Sequence, residues 1–253
     1  MPLLELQDVT MQFGGLIAVN GVSMALEPQA LYGLIGPNGA GKTTLFNVIT
    51  GVYCPTSGDV RFDGRSIEGR PPYEISAGGI ARTFQNIRLF SDLSVLDNVK
   101  VAFDRKQKAG VLQAMFRGAV HESEETRIDH EARELLDIFK LGALADEPAN
   151  SLAYGLQRRL EIARAMATRP KVLCLDEPAA GMNPAEAKEL MELIRWLRDR
   201  FQLTILLVEH NMKVVMGVCE RVHVLDYGST IALGTPAEIQ ADPRVIEAYL
   251  GGA

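Results

Sequence analysis

The segment Gly36–Thr44, which reads GPNGAGKTT, has the residue types and spacing of a phosphate-binding loop. Its glycines let backbone N–H groups curl round an anion, and the N-terminus of the helix predicted to follow adds partial positive charge. Lys42 would reach terminal phosphates, and the Thr43 hydroxyl would bind Mg²⁺. A chance match has a probability on the order of 1% in a chain of this length, so a plain glycine-rich turn is the weaker interpretation. The predicted phosphate-binding residues are Gly36, Asn38, Gly39, Ala40, Gly41, Lys42, Thr43 and Thr44.

The acidic pair Asp176 and Glu177 ends the apolar run Val172–Leu175. This run predicts a buried strand, and ligands of open α/β sheets bind outside the carboxyl ends of such strands. Asp176 would join the Mg²⁺ shell, and Glu177 would polarise an attacking water. Strands often end in acidic residues, so the pair alone is weak evidence of a catalytic site. Its combination with the phosphate loop makes that interpretation strong. His210 ends the next predicted strand, after one crossover helix, and this position favours a contact with the terminal phosphate over a structural role.

Hydrophobic periodicity and capping residues predict the elements that must position these side chains. Strands are predicted at 4–9, 22–26, 31–35, 60–62, 172–175, 203–208, 222–226 and 230–233, and helices at 43–50, 183–197, 211–218 and from 235 onward. The stretch 92–167 predicts mainly helix, with an apolar stripe at Ile128, Ala132, Leu135, Leu136 and Phe139. Strands that alternate with helices indicate an α/β fold with a mostly parallel sheet covered on both faces.

The bulk properties narrow the function classes. The chain has 253 residues and a net charge of −6, which argues against a nucleic-acid partner because a basic face is the usual footprint of such proteins. The three cysteines show no paired spacing, so nothing in the sequence predicts disulfides or an oxidising compartment. The N-terminal residues lack the pattern of a signal peptide. No apolar run approaches the roughly 20 residues that a membrane-spanning helix needs. If the protein acts at a membrane, a partner must supply the membrane-spanning part.

Together these motifs make the chain resemble, over essentially its whole length, the ATPase subunits of ATP-binding-cassette (ABC) transporters. The family signature, usually Leu-Ser-Gly-Gly-Gln, is matched by the stretch 152–165, LAYGLQRRLEIARA. The family's glutamine between the core and the helical region is matched by Gln85 in RTFQN, and the loop after the acids by 180–183. The aromatic residue that stacks on adenine is matched by Phe13, where Tyr is commoner.

The resemblance implies a P-loop NTPase fold: a RecA-like core, an N-terminal antiparallel β subdomain and an inserted helical subdomain. The chain 1–253 would be one ABC ATPase domain, with 1–90 and 168–253 as core and about 91–167 as the helical subdomain that carries the signature. ATP and Mg²⁺ are the implied ligands. The implied catalytic residues are Glu177, His210, Gln85 and Lys42. The implied metal ligands are Thr43, Gln85 and Asp176. The signature residues implied to contact ATP are Ala153, Gly155 and Leu156.

Two departures from the family pattern affect the signature. Ala153 replaces the usual serine and removes a hydroxyl contact to phosphate, while Leu156 replaces a glutamine near the nucleotide. Gly155 and the helix N-terminus remain, and backbone N–H groups there can still face phosphate. We therefore expect ATP-driven closure of a head-to-tail pair to survive, with its rate or ATP affinity lowered.

Within the family, the chain is most similar to the ATPases of branched-chain amino acid importers, on segments such as 82–90, RTFQNIRLF, and 209–213, EHNMK. The implied partners are a second ATPase subunit (the same chain or a paralogue), membrane permeases and, indirectly, a solute-binding protein. The implied location is the cytoplasmic face of the inner membrane. Ile87–Phe90 would line a groove for a permease helix, with ordinary packing as the alternative. The alternatives in function are a single-cassette exporter ATPase, for lipopolysaccharide for example, and a soluble non-transport ABC ATPase.

Overall fold

The computed structural model describes residues 1–103 and 119–250. Two compact units make up the chain, one formed by 1–85 with 170–253 and the other by 86–169. The predicted helical subdomain, 91–167, falls within the second unit, and its residues 104–118 lie outside the described residues. No helix in the described part of the chain is long and apolar enough to cross a membrane.

The strands and helices are numbered along the chain. The strands are β1 (Leu4–Phe13), β2 (Leu16–Leu26), β3 (Leu31–Ile35), β4 (Ser57–Phe62), β5 (Arg65–Ser66), β6 (Ile80–Arg82), β7 (Val172–Asp176), β8 (Thr204–Val208), β9 (Arg221–Asp226) and β10 (Ser229–Gly234). The helices are α1 (Lys42–Ile49), α2 (Pro72–Gly78), α3 (Val95–Phe103), α4 (Ala119–Ile138), α5 (Tyr154–Ala167), α6 (Pro184–Phe201), α7 (Met212–Val218), α8 (Pro236–Ala241) and α9 (Pro243–Leu250).

The first unit contains a sheet of order β10-β9-β3-β8-β7-β6, in which only β10 pairs antiparallel. Every residue of β3, β7 and β8 is buried, as the continuous apolar runs of these strands require in a sheet covered on both faces. The register pairs Leu34 of β3 with Val208 of β8, and Val208 with Asp176 of β7. These three strands therefore end at one level, side by side, and the predicted α/β fold class is confirmed.

A second sheet in this unit has the order β2-β1-β4-β5 and is antiparallel throughout. One face of β1 and β2 contributes alternate apolar residues, such as Leu4, Leu6 and Leu26, to a core that also holds Phe46 of α1. The period of two predicted for these strands is therefore correct. This core anchors α1, the helix that follows the phosphate loop.

Two helices of the first unit, α6 and α8, begin at the capping residues that the sequence predicts. Asn183 accepts hydrogen bonds from the backbone N–H groups of Ala185 and Glu186, and the Glu186 carboxylate accepts one from the Asn183 N–H. Thr235 forms the same capping box with Glu238 at the start of α8. A proline occupies the first turn of both helices, where its missing N–H costs nothing. The sequence does not predict the short elements α2 and β6, and the helix predicted from 235 onward is two helices, α8 and α9.

The second unit is built from α3, α4 and α5, with α3 packed against both others. The predicted apolar stripe of α4 is buried at all five positions, Ile128, Ala132, Leu135, Leu136 and Phe139. Asn98 of α3 is also buried; its amide donates to the Phe90 carbonyl at 3.0 Å and accepts from the Phe90 N–H at 2.9 Å. The backbone before α3 is thereby fixed at Phe90.

His223 of β9 is a fully buried histidine. Its Nε2 lies 2.7 Å from the Thr230 hydroxyl, and its Nδ1 has no partner among the described residues. Burial lowers the pKa of His223 from 6.5 to about 4, because the charged form loses its hydration. The folded chain therefore holds this imidazole neutral at pH values where an unfolded chain protonates it.

We expect His223 to lower the free energy of unfolding as the pH falls. Its contribution is complete above pH 6.5 and is lost as the pH falls towards 4, and the loss is about 2 kcal/mol at pH 5. His223→Gln removes this titration, so the free energy of unfolding of the wild type should fall relative to that variant between pH 7.5 and 5. Urea unfolding at both pH values measures it, with exposed His130→Gln as the control. Equal pH dependence in wild type and His223→Gln would contradict the assignment.

Candidate functional site

The phosphate loop and the end of β7 line one cavity of about 460 Å³. Its lining includes Lys42 and Thr43 at the start of α1, together with Gln85 and Glu177. All of its lining residues belong to the first unit. The cavity thus brings together predicted residues that are far apart in sequence, and the full lining is Leu16, Ile17, Ala18, Asn38, Gly39, Ala40, Gly41, Lys42, Thr43, Thr44, Gln85, Glu177, Tyr227 and Gly228.

The backbone of the phosphate loop can be formed only by glycine at two positions. Gly36 has φ 153° and Gly41 has φ 97°, both in the region that favours glycine. A Cβ on Gly36 would lie 2.1 Å from the Leu225 carbonyl oxygen, and one on Gly41 would lie 2.4 Å from that of Ala18. The loop is therefore pressed against β9 on one side and β2 on the other, which fixes its curvature.

Lys42 is buried and turned back on its own loop. Its Nζ donates to the Gly36 carbonyl at 2.7 Å and to the Pro37 carbonyl at 2.9 Å. Burial lowers the pKa of Lys42, and the nearby carboxylates of Glu177 and Asp176 oppose that shift. An ammonium group in this position is held by backbone oxygens and faces two acids, so it is placed to neutralise phosphate charge.

Glu177 lies between two other predicted catalytic residues. The Gln85 amide donates to Glu177 Oε2 at 3.1 Å, and His210 Nδ1 lies 3.3 Å from Glu177 Oε1. Glu177 has φ 45°, a left-handed conformation that costs energy for a residue with a side chain. Its N–H donates to the Val208 carbonyl at 2.9 Å, so the end of β8 holds this turn in place. The arrangement fits a carboxylate that orients a water.

Asp176, the other member of the acidic pair, is buried at the end of β7. Its backbone N–H donates to the Thr83 hydroxyl at 3.2 Å, and Thr83 is itself fully buried. Thr83 was not selected from the sequence, although it stands two residues before Gln85. It links the strand that carries the acids to the segment that carries the glutamine.

Glu209 is a second residue that the sequence did not single out. Its buried carboxylate accepts from the Ala179 N–H at 3.2 Å and from the Asn211 N–H at 3.5 Å. Burial raises the pKa of Glu209, while these two amides act in the opposite direction. Ala179 follows Glu177 by two residues and Asn211 follows His210, so Glu209 ties together the loops that carry both. An acid before a histidine at a strand end is the only signal that could have indicated this role.

The predicted adenine contact, Phe13, does not line the cavity. Its ring is 41% exposed and meets the edge of Tyr53, with 5.2 Å between ring centroids. Leu16 and Ile17, at the start of β2, line the cavity instead and are largely exposed. These two side chains supply an apolar surface beside the phosphate loop.

The predicted signature residues belong to the second unit. Ala153 is the N-cap of α5, and Gly155 and Leu156 lie in its first turn. No side chain caps this helix, because alanine has no hydrogen-bonding group. The Leu156 N–H donates to the Ala153 carbonyl at 2.9 Å. The N–H groups of Tyr154 and Gly155, the first two residues of α5, are the ones that solvent or an anion could bind.

The candidate Mg²⁺ ligands fit a metal that also binds phosphate. Mg²⁺ is usually held by one or two carboxylates together with waters and phosphate oxygens. Asp176 provides the carboxylate, Thr43 an exposed hydroxyl and Gln85 an amide oxygen. The described residues contain no cluster of three histidine, cysteine or acidic side chains that could hold a metal alone. The donor set therefore suits Mg²⁺ that arrives with a nucleotide.

Comparisons with known proteins agree with this geometry. Residues 19–180 match the family model for the ABC transporter, and 229–253 match that for the branched-chain amino acid ATP-binding cassette transporter. The chain is 46% identical to the high-affinity branched-chain amino acid transport ATP-binding protein BraF of Pseudomonas aeruginosa and 47% identical to LivG of Escherichia coli. Each match covers 100% of this chain and 99% of the relative.

More distant matches extend the comparison. A lipopolysaccharide export system ATP-binding protein, LptB of Acidithiobacillus ferridurans, is 35% identical over 98% of this chain and 97% of its own length. Among solved structures, the ADP conformation of an ATP-binding cassette of an ABC transporter superposes with a TM-score of 0.86. It is 32% identical, and the match covers 99% of both chains.

We expect Glu209→Ala to lower both the stability of the protein and its rate of nucleotide hydrolysis. The change removes the acceptor of the Ala179 and Asn211 N–H groups, which should lower the free energy of unfolding by about 1 kcal/mol. It should also slow nucleotide hydrolysis, since Glu177 and His210 lose their common anchor. Glu209→Gln, the control, keeps one acceptor oxygen and should lose less of both. Urea unfolding and phosphate release measure the two effects; equal losses in both variants would contradict the anchoring role.

Proposed function

The chain belongs to the ABC transporter family, and we propose that it is the ATP-hydrolysing subunit of an importer for branched-chain amino acids. The observation that carries the ATPase assignment is a cavity lined by Lys42, Thr43, Gln85 and Glu177 together. The substrate assignment is supported by BraF and LivG and by the family model that matches the C-terminal residues 229–253. LptB, an export protein, is a more distant relative, so lipopolysaccharide export is the weaker alternative.

In the proposed reaction, the phosphate loop binds ATP through its N–H groups and the N-terminus of α1. Lys42 exchanges its bonds with the Gly36 and Pro37 carbonyls for bonds with the terminal phosphates. Mg²⁺, held by Thr43, Asp176 and Gln85, would neutralise charge on those phosphates. Leu16 and Ile17 offer an apolar surface to the adenine, and the exposed ring of Phe13 lies at the end of the preceding strand.

Glu177 is the proposed base. It orients the attacking water and accepts its proton, while Gln85 and His210 hold its two carboxylate oxygens. The His210 side chain is more than half exposed, so it can also turn towards the terminal phosphate. Charge on the transferred phosphoryl group is then stabilised by Lys42 and His210, groups positioned before the reaction begins.

We propose that hydrolysis requires a head-to-tail pair of ATPase subunits. The uncapped N-terminus of α5, with Ala153, Gly155 and Leu156, would face the nucleotide bound by the other subunit. The phosphate then bridges two chains, so ATP favours the closed pair and hydrolysis releases it. The second subunit is this chain or a paralogue.

The proposed contact with the permease lies at Phe90, in the second unit. Its backbone is fixed by Asn98, while its ring is 50% exposed. The Arg164 guanidinium lies 5.6 Å from the ring centroid and supports the ring from one side. A half-exposed aromatic ring on a fixed backbone suits a permease helix that docks at the cytoplasmic face of the membrane.

Co-purification tests the assignment. The tagged chain would be expressed in its native cell, the membranes solubilised gently, and the bound proteins identified by mass spectrometry. Multi-pass permeases with a second ATPase subunit would support the importer, and a solute-binding protein would give a ligand to assay. Soluble partners without any permease would overturn the transport assignment and leave the ATPase chemistry standing.

Glu177→Gln should lower ATP turnover by about 10²–10⁴-fold, because the amide cannot accept the proton of the water. ATP affinity should stay near that of the wild type, since Lys42 and the loop N–H groups are unchanged. Single-turnover hydrolysis and equilibrium ATP binding separate the two quantities. Glu192→Gln, on the exposed face of α6, is the matched control. Near-normal turnover in Glu177→Gln would show that another group is the base.

Phe90→Ala should uncouple ATP hydrolysis from transport. Removal of the ring leaves the cavity in the first unit intact, so basal ATPase activity should persist while transport by the assembled importer falls about 10-fold or more. Reconstituted vesicles give both rates from one sample. Phe201→Ala, which removes a similarly exposed ring at the end of α6, should leave coupling unchanged. If transport falls only in step with protein yield, Phe90 serves packing alone.

A further inference from the structure

The C-terminal helix α9 lies beside the phosphate loop. A second cavity, of about 930 Å³, is lined by Gly36–Ala40 and His210 together with Arg244, Glu247 and Tyr249 of α9. Asn38, Gly39 and Ala40 line both this cavity and the nucleotide cavity. The phosphate loop is therefore shared by the two cavities, and α9 lines the second one together with it.

The hydroxyl of Tyr249 is shielded from solvent and completes no hydrogen bond among the described residues. Burial raises the pKa of this phenol, and the nearby backbone amide of Gly36 opposes the shift. The Gly36 amide thus faces the phenol oxygen, outside the geometry of a full hydrogen bond. A buried polar group in this condition is rare in folded proteins, and a small movement that completes its bond would be favoured.

Gly36 is also the residue that holds Lys42. Its carbonyl accepts from Lys42 Nζ at 2.7 Å, while its Cα is pressed against the Leu225 carbonyl. The N–H and the C=O of Gly36 therefore face two different partners, Tyr249 of α9 and the phosphate-binding lysine. When Lys42 shifts its bonds towards a phosphate, the peptide groups of Gly36 are released to adjust.

We propose that Tyr249 is a positioning residue for the phosphate loop, whose hydroxyl accepts a hydrogen bond from the Gly36 amide when the loop grips a nucleotide. This inference rests on the proposed ATPase function and deepens it. The bond forms in the bound geometry and is incomplete in the geometry seen here, so Tyr249 favours the bound form of the loop. The C-terminal segment, which matches its own family model over 229–253, thereby contributes to nucleotide affinity.

The test is Tyr249→Phe in the full chain, with MgATP as the probe. The variant keeps the ring and loses only the hydroxyl, so the ATP dissociation constant and the KM for ATP should rise roughly 5- to 30-fold. The value of kcat should change less than about twofold, because Glu177 and His210 are untouched. Tyr73→Phe, which removes an exposed hydroxyl on α2, should leave both values unchanged.

Each outcome decides the question. Unchanged or tighter ATP binding in Tyr249→Phe overturns the positioning role, as does a fall in kcat at constant KM. The ATP-induced rise in Tm, taken against the Tm of each variant without ATP, keeps the comparison valid if the variant is less stable. If the wild type itself neither binds nor hydrolyses ATP, the proposed function fails, which is a distinct result from failure of the Tyr249 proposal.

Discussion

Parallel pairing of β3 with β8 and of β8 with β7 is the constraint on which the site depends. Because Leu34, Val208 and Asp176 share one register level, the segments that follow these strands emerge at a single edge of the sheet. The hydrogen bonds between these strands therefore bring the phosphate loop, His210 and Glu177 within reach of one another. A shift in register along β8 would separate the histidine from the acid, although both residues would remain in the chain.

Close packing around the phosphate loop is the second constraint on the site. The loop is held by the carbonyl of Ala18 on one side and that of Leu225 on the other, and the Gly228 N–H donates to the Ala40 carbonyl at 3.1 Å. These contacts come from both sheets of the first unit, so the antiparallel sheet also shapes the anion site. The curvature of the loop is consequently set before any phosphate arrives, and binding requires only local changes at Lys42 and Gly36.

The sequence predicted the parts of the fold whose signals are local. The continuous apolar runs of β3, β7 and β8 and the capping boxes at Asn183 and Thr235 were all interpreted correctly, because strand burial and helix starts depend on neighbouring residues. Short elements such as α2, which buries only Ile75, offered too little periodicity. Among the site residues, Glu209 could not be identified because its role depends on two backbone N–H groups from separate loops. The position of Phe13 outside the cavity likewise depends on its packing against Tyr53.

The uncapped start of α5 has a further consequence. Helices α6, α7 and α8 each begin with a side chain that accepts from a first-turn N–H group, whereas Ala153 offers none. In the proposed pair, the terminal phosphate of a nucleotide on the neighbouring subunit would take the part of the missing N-cap. The helix would then be capped by a phosphate that is present only until hydrolysis. Each subunit would thereby sense the chemical state of its neighbour's nucleotide through the order of the first turn of its own α5.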